Sequence, residues 1–236
     1  MNILSFARRV FAVSAAALCA APLAVAGPVQ LDPTGFATGS YESFSVHTAI
    51  VDPVATGAFA GTLDGSPIIF FCFELTQTFS FNPSPPYYTY DDELLTLTDA
   101  TKANYLSELF TEAFTHALDS ASNSAAFQLA VWEILGETTP GDVNSPDGNF
   151  YVTDNHGNTT TQNNANTLLA NLPPTGTYVI HLLHSGEAEG NHQDFIYGVP
   201  PLLQQTPEPA SLLLIGAALG AMFFGLRKRF QATRLT

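Results

Sequence analysis

The sequence predicts an α+β domain that is mostly β, a sandwich or barrel with a helical insertion, set between two apolar ends. Three observations predict it. Short runs of alternating apolar and polar residues, broken by Gly, Pro and Asp, fill residues 27–75. The apolar period then becomes helical across residues 100–136. Strand-like runs return at residues 177–183 and 195–197.

Taken in order, the chain begins with Arg8 and Arg9, an Ala-rich apolar stretch over residues 10–21, and the small-x-small triplet Ala24-Val25-Ala26. This predicts a cleaved signal peptide over residues 1–26 and a mature start at Gly27. The residues around the arginine pair favour general secretion over a twin-arginine route. Leu18 before Cys19 is too large for a lipoprotein box.

The span 27–200 is expected to be the extracellular domain. Phe44, Val46, Thr48 and Ile50 alternate with their neighbours and predict a strand that Asp52-Pro53 closes. Residues 58–63, ended by Asp64-Gly65, predict a second strand, and residues 68–75 (IIFFCFEL) a central one. The prolines in 82–86 predict a loop. Asp99 is the expected N-cap of a helix carrying Ala103, Leu106, Phe110, Ala113, Phe114 and Ala117 on one face. A second helix is expected from Ser122 or Ser124 to Gly136, although FQLAVWEI (127–134) also reads as a strand. Residues 138–166 read as a polar loop broken by a strand at 150–153, with a short helix around Leu168.

Residues 201–209 read as a linker. Residues 210–226 (ASLLLIGAALGAMFFGL) are apolar and uncharged, and predict a transmembrane helix roughly 25 Å long. Arg227, Lys228 and Arg229 follow as the membrane stop and place residues 227–236 in the cytoplasm.

The chain carries 21 acidic against 7 basic residues, a net charge of −14. Every Arg lies outside 27–200, leaving Lys102 as the strong base of that span. Such a surface repels nucleic acid and anionic lipid, so no nucleic-acid partner is expected. Once residues 1–26 are removed Cys72 is the sole cysteine, which excludes an intramolecular disulfide.

Two family resemblances follow. Pro207-Glu208-Pro209, one short apolar span and a basic end, in that order, resemble the C-terminal sorting signal of PEP-CTERM proteins. The resemblance implies an exosortase that cuts near the motif, after export and removal of the leader by signal peptidase. It implies a passage from inner-membrane anchor to cell surface or extracellular matrix. The second resemblance joins Phe71-Cys72-Phe73-Glu74 to Phe127-Gln128-Leu129-Ala130-Val131-Trp132. These segments resemble the paired motifs of bacterial thioester domains. It implies that Cys72 attacks the Gln128 amide, that ammonia leaves, and that Trp132 shelters the resulting bond. The chemistry needs a thiolate, so the local structure is expected to favour loss of the thiol proton.

No G-x-S-x-G elbow, phosphate loop or H-E-x-x-H helix occurs, and an enzyme is not expected. His181, His184, Glu187, Glu189, His192 and Asp194 lie close in sequence, but odd spacing on a strand sends His181 and His184 to opposite faces. Asp142, Asn144, Asp147 and Asn149 are out of EF-hand register. Neither metal nor cofactor is expected. The expected function is covalent adhesion to amine-bearing surface targets through the Cys72–Gln128 thioester. The alternative is a noncovalent structural or carbohydrate-contacting protein of a biofilm or exopolysaccharide matrix.

Overall fold

A computed structural model describes residues 28–47, 49–185 and 192–201. The expected signal peptide, the Pro207–Pro209 motif, the apolar span 210–226 and the basic stop at Arg227, Lys228 and Arg229 lie outside the described residues. Among those described, no helix is long and apolar enough to cross a membrane.

A closed six-stranded antiparallel barrel forms the centre of the domain. Its strands are β1 (Val29–Phe36), β4 (Phe59–Leu63), β5 (Ser66–Cys72), β6 (Tyr88–Leu94), β8 (Val179–His184) and β9 (Phe195–Val199), in the order β1-β4-β5-β9-β8-β6. Closure removes the free edges that an open sheet of these strands would present to other chains. A smaller sheet, β3-β2-β7, joins β2 (Glu42–Val46), β3 (Val54–Thr56) and β7 (Val152–Asp154). The helices are α1 (Leu95–Thr98), α2 (Ala100–Ala117), α3 (Ala121–Gly136) and α4 (Thr159–Ala170).

Asp64 and Gly65, at φ 49° and 78°, form the tight turn between β4 and β5. Positive φ at both positions matches the right-handed twist of the flanking strands. Asp64 also ties this turn to β1, exchanging hydrogen bonds with the backbone of Gln30. The β1 register shifts between Pro33 and Gly35, a bulge at which Pro33 needs no ladder donor. Gly61 sits opposite, where a methyl group would run into the Asp32 carbonyl.

The end of β5, from Phe70 to Cys72, is buried on both sides. Phe70 faces Phe59 and Phe195, with ring centroids 5.6 and 4.8 Å away. Phe71 points the other way, to Phe127 on α3 and Phe110 on α2 at 4.6 and 5.7 Å. That is the strict alternation of a strand lying between two apolar layers.

Asp99 caps α2 as expected, its carboxylate accepting from the Lys102 N–H at 3.0 Å. α3 starts slightly earlier than expected, with Ser120 as its cap, and settles residues 127–134 as helix. Every residue from Ser124 to Ile134 is buried, so no polar face marks the helical period. Gly136 ends α3 as expected, but a close approach explains it: a methyl group would lie 2.7 Å from the Phe150 Cβ.

Two expectations are corrected. The strand expected through Ile50 stops at Val46, and Ile50 and Val51 stand exposed beside the cleft described below. The polar loop expected over 138–166 ends early, because α4 begins at Thr159. Its Thr and Asn residues are poor helix formers. Buried Thr161 holds the helix instead, bonded to Ser122 and to the Glu42 carboxylate, both at 2.6 Å.

Candidate functional site

β4 begins at Phe59, opposite Phe70, so its ladder stops short of Cys72. Gln128 of α3 fills that gap with its side chain. The Cys72 N–H donates to Gln128 Oε1 at 2.9 Å, and Gln128 Nε2 donates to the Cys72 carbonyl at 3.0 Å. Gln128 is 1% exposed, and these bonds satisfy both ends of an amide that would otherwise be costly to bury.

One turn earlier on α3, Ser124 Oγ accepts from the Ala58 N–H at 2.6 Å. One turn later stands Trp132. Ser124, Gln128 and Trp132 thus form one stripe at four-residue spacing, aimed at the place where β4 starts and β5 ends. Sequence reasoning missed this role of Ser124. Its only signal was a polar residue four positions before Gln128 in an otherwise apolar run.

Cys72 and Trp132 line a cleft of about 330 Å³ whose walls are largely apolar, with Phe36, Phe59, Phe79 and Phe81 among them. Tyr41 and Val51 stand on the same cleft and are themselves exposed. The structure therefore brings together the three residues expected to act together, and places the thiol beside an apolar opening.

The thiol itself departs from expectation. Burial, and then the neighbouring charge of Glu74, push the Cys72 pKa far above the ordinary thiol value. The surroundings hold the proton on sulfur, whereas the sequence reading expected them to favour its loss. Attack by this sulfur requires a group that removes the proton as the bond forms.

The histidines divide between separate carboxylates. His181 Nδ1 meets Asp92 at 2.8 Å, and Tyr197 donates to the other oxygen of Asp92 at 2.8 Å. His184 Nδ1 meets Asp194 at 2.7 Å, while Ser185 N–H and Oγ reach the second Asp194 oxygen. Glu187 and Glu189 lie outside the described residues. Asp142 is satisfied internally by Asn144 and Asn166, bonds that hold its pKa below the usual value. Among the described residues no group of three His, Cys, Asp or Glu side chains is placed to hold a metal.

Glu133, next to Trp132, is 3% exposed. Its Oε1 accepts from the Gly141 N–H at 2.9 Å, and its Oε2 has no partner among the described residues. Burial first, with repulsion from Glu137 and Asp142, raises its pKa. The folded chain thus binds this proton more tightly than the unfolded one. The corresponding stability is complete below the ordinary carboxylate pKa and is lost as pH rises through the raised value. Glu133→Gln is expected to raise stability at neutral pH by about 1–2 kcal/mol and to flatten that loss, as read by thermal melts across pH.

Residues 205–229 match the model of the PEP-CTERM protein-sorting motif. The chain carries a PEP-CTERM sorting motif. The motif indicates an exosortase-sorted extracellular protein that passes a membrane on its way to the cell surface. No curated protein matches the chain. Among solved structures, the N-terminal domain of the Streptococcus pyogenes pilus tip adhesin Cpa is similar at a TM-score of 0.46 and 14% identity, covering 77% of this chain and 97% of that one.

Proposed function

We propose that this PEP-CTERM protein acts in covalent adhesion, through an internal thioester between Cys72 and Gln128 that reacts with amines on surface targets. One observation supports the reading above others: the Gln128 amide is held against the Cys72 backbone in the core, while the Cys72 side chain lines an open cleft. As Sγ attacks Cδ of Gln128, charge develops on Oε1, and the Cys72 N–H already donates to that atom. The Cδ–Nε2 bond breaks, the nitrogen departs as ammonia, and the acyl group remains on sulfur. An amine on a target then displaces the sulfur and keeps the acyl group as an amide. Trp132, 3% exposed, closes part of the cleft wall over the bond and limits its hydrolysis.

In this reading signal peptidase frees the chain, the apolar span holds it at the inner membrane, and exosortase cuts near Pro207–Pro209. The target is an amine-bearing surface protein or matrix polymer.

Intact mass of the exported protein tests the chemistry. Wild type is expected to be lighter by one ammonia than its sequence requires and to resist thiol reagents after unfolding. Cys72→Ala is expected to show no ammonia loss and no methylamine uptake. A wild-type chain of full mass with a titratable thiol would overturn the thioester. It would favour a noncovalent matrix protein, in which the two hydrogen bonds of Gln128 are only a structural clasp.

A further inference from the structure

The Cys72–Gln128 reaction needs a proton carrier, because burial keeps the thiol protonated. Among the described residues Glu74 is the one carboxylate that lines the cleft with Cys72. Its position follows from the strand. Beyond the end of β5 the Phe73 N–H still donates to the Asp194 carbonyl at 2.9 Å, so the extended alternation continues. Residues 72 and 74 then share a side. Gln193 Nε2 fixes the Glu74 backbone by donating to its carbonyl at 2.9 Å. Thr76 Oγ1 donates to Glu74 Oε2 at 2.8 Å, leaving Oε1 for a proton.

We propose that Glu74 carries the proton in both halves of this reaction, taking it from the Cys72 thiol as sulfur attacks and delivering it to the departing ammonia. The proposal rests on the thioester reading. In formation, the Sγ–H bond breaks toward Glu74, Sγ–Cδ forms, and Cδ–Nε2 breaks as the carboxylic acid protonates nitrogen. Glu74 ends ionised, and no oxidant or reductant is required. In the second half a neutral amine attacks Cδ. Glu74 takes a proton from its nitrogen and returns it to sulfur as the Cδ–Sγ bond breaks.

The groups around Glu74 suit this work. Burial raises its pKa most, the Thr76 hydroxyl opposes that, Asp194 just before β9 adds to it, and His184 at the end of β8 opposes it. A carboxylate whose pKa lies above the usual value is a better proton acceptor near neutrality.

Methylamine uptake by the exported protein, followed by intact mass at fixed free-amine concentration across pH, tests the role. Wild type is expected to show a rate that rises with pH through an inflection above the ordinary Glu pKa. Glu74→Gln is expected to slow uptake about 10–100-fold and to erase the inflection, with Glu74→Asp restoring part of the rate. Thr76→Val removes a bond that lowers the Glu74 pKa, so the inflection moves to higher pH. Thr76 is exposed, and this second variant decides the matter if Glu74→Gln does not fold. A folded Glu74→Gln chain with the wild-type rate and profile overturns the proposal, as does an unmoved inflection in Thr76→Val. Wild-type protein with neither ammonia loss nor uptake overturns the thioester reading, and this proposal with it.

Discussion

Gln128→Ala is expected to abolish methylamine uptake and to cost about 2–5 kcal/mol of stability in the same variant. The two effects have separate causes. Loss of the acyl donor ends the chemistry. Measured against Cys72→Ala, in which no thioester forms and the Gln128 amide stays, its loss strands the backbone N–H and carbonyl of residue 72, both buried where β4 supplies no partner, and opens a void beside Phe127. Each stranded group contributes on the order of 1–3 kcal/mol. Gln128→Glu separates the causes. It keeps the shape but places a carboxylate oxygen against the Cys72 carbonyl, so uptake is lost and the cavity contribution is absent. Denaturant unfolding beside intact-mass adduct assays reads both. A Gln128→Ala chain that still takes up methylamine would remove this residue from the chemistry, and one that unfolds like Cys72→Ala would remove it from the clasp.

Trypsin is expected to cut the exported domain once without separating its halves. Lys102 is the only Lys or Arg between residues 27 and 206, and it lies between Cys72 and Gln128 in the chain. It also lies on α2, with Nζ bonded to the Leu135 carbonyl, so partial unfolding in urea gives the protease access. After cleavage, a thioester still joins the two fragments across Cys72 and Gln128, and a denaturing gel shows one band. Prior methylamine treatment, or Cys72→Ala, should release two fragments. Immediate release from untreated wild type would mean that no bond spans the cut.

The mostly β class and the helical insertion were legible because they rest on local periodicity and on caps such as Asp99. The sequence left open whether the strands form a sandwich or a barrel, and the barrel follows from pairings far apart in the chain, such as β1 with β6. Two barrel strands carried weak signals. β1 contains Pro33 and Gly35 at its bulge, and β6 carries Asp91, Asp92 and Glu93. α4 was read mainly as loop because its Thr and Asn residues disfavour helix until Thr161 is anchored from other elements. At the site, Cys72, Gln128 and Trp132 were named through a family resemblance, and their convergence required the fold. Ser124 was read only as a possible helix start, and its role at the site stayed hidden because its partner, the Ala58 N–H, is a backbone group that no side-chain pattern reports. The thiol was misjudged because burial acts through the whole surrounding core, whereas a motif names only its neighbours.

The unbroken burial of α3 has a mechanical consequence. Under the proposed chemistry a captured target ends on Gln128, not on Cys72, so tension from that target enters the protein through the middle of α3. That helix is gripped on every side from Ser124 to Ile134, by α2, α4 and both sheets. A pull there loads many packed contacts together and does not peel one strand from an edge. The attachment point is thus anchored at the part of the domain least able to yield.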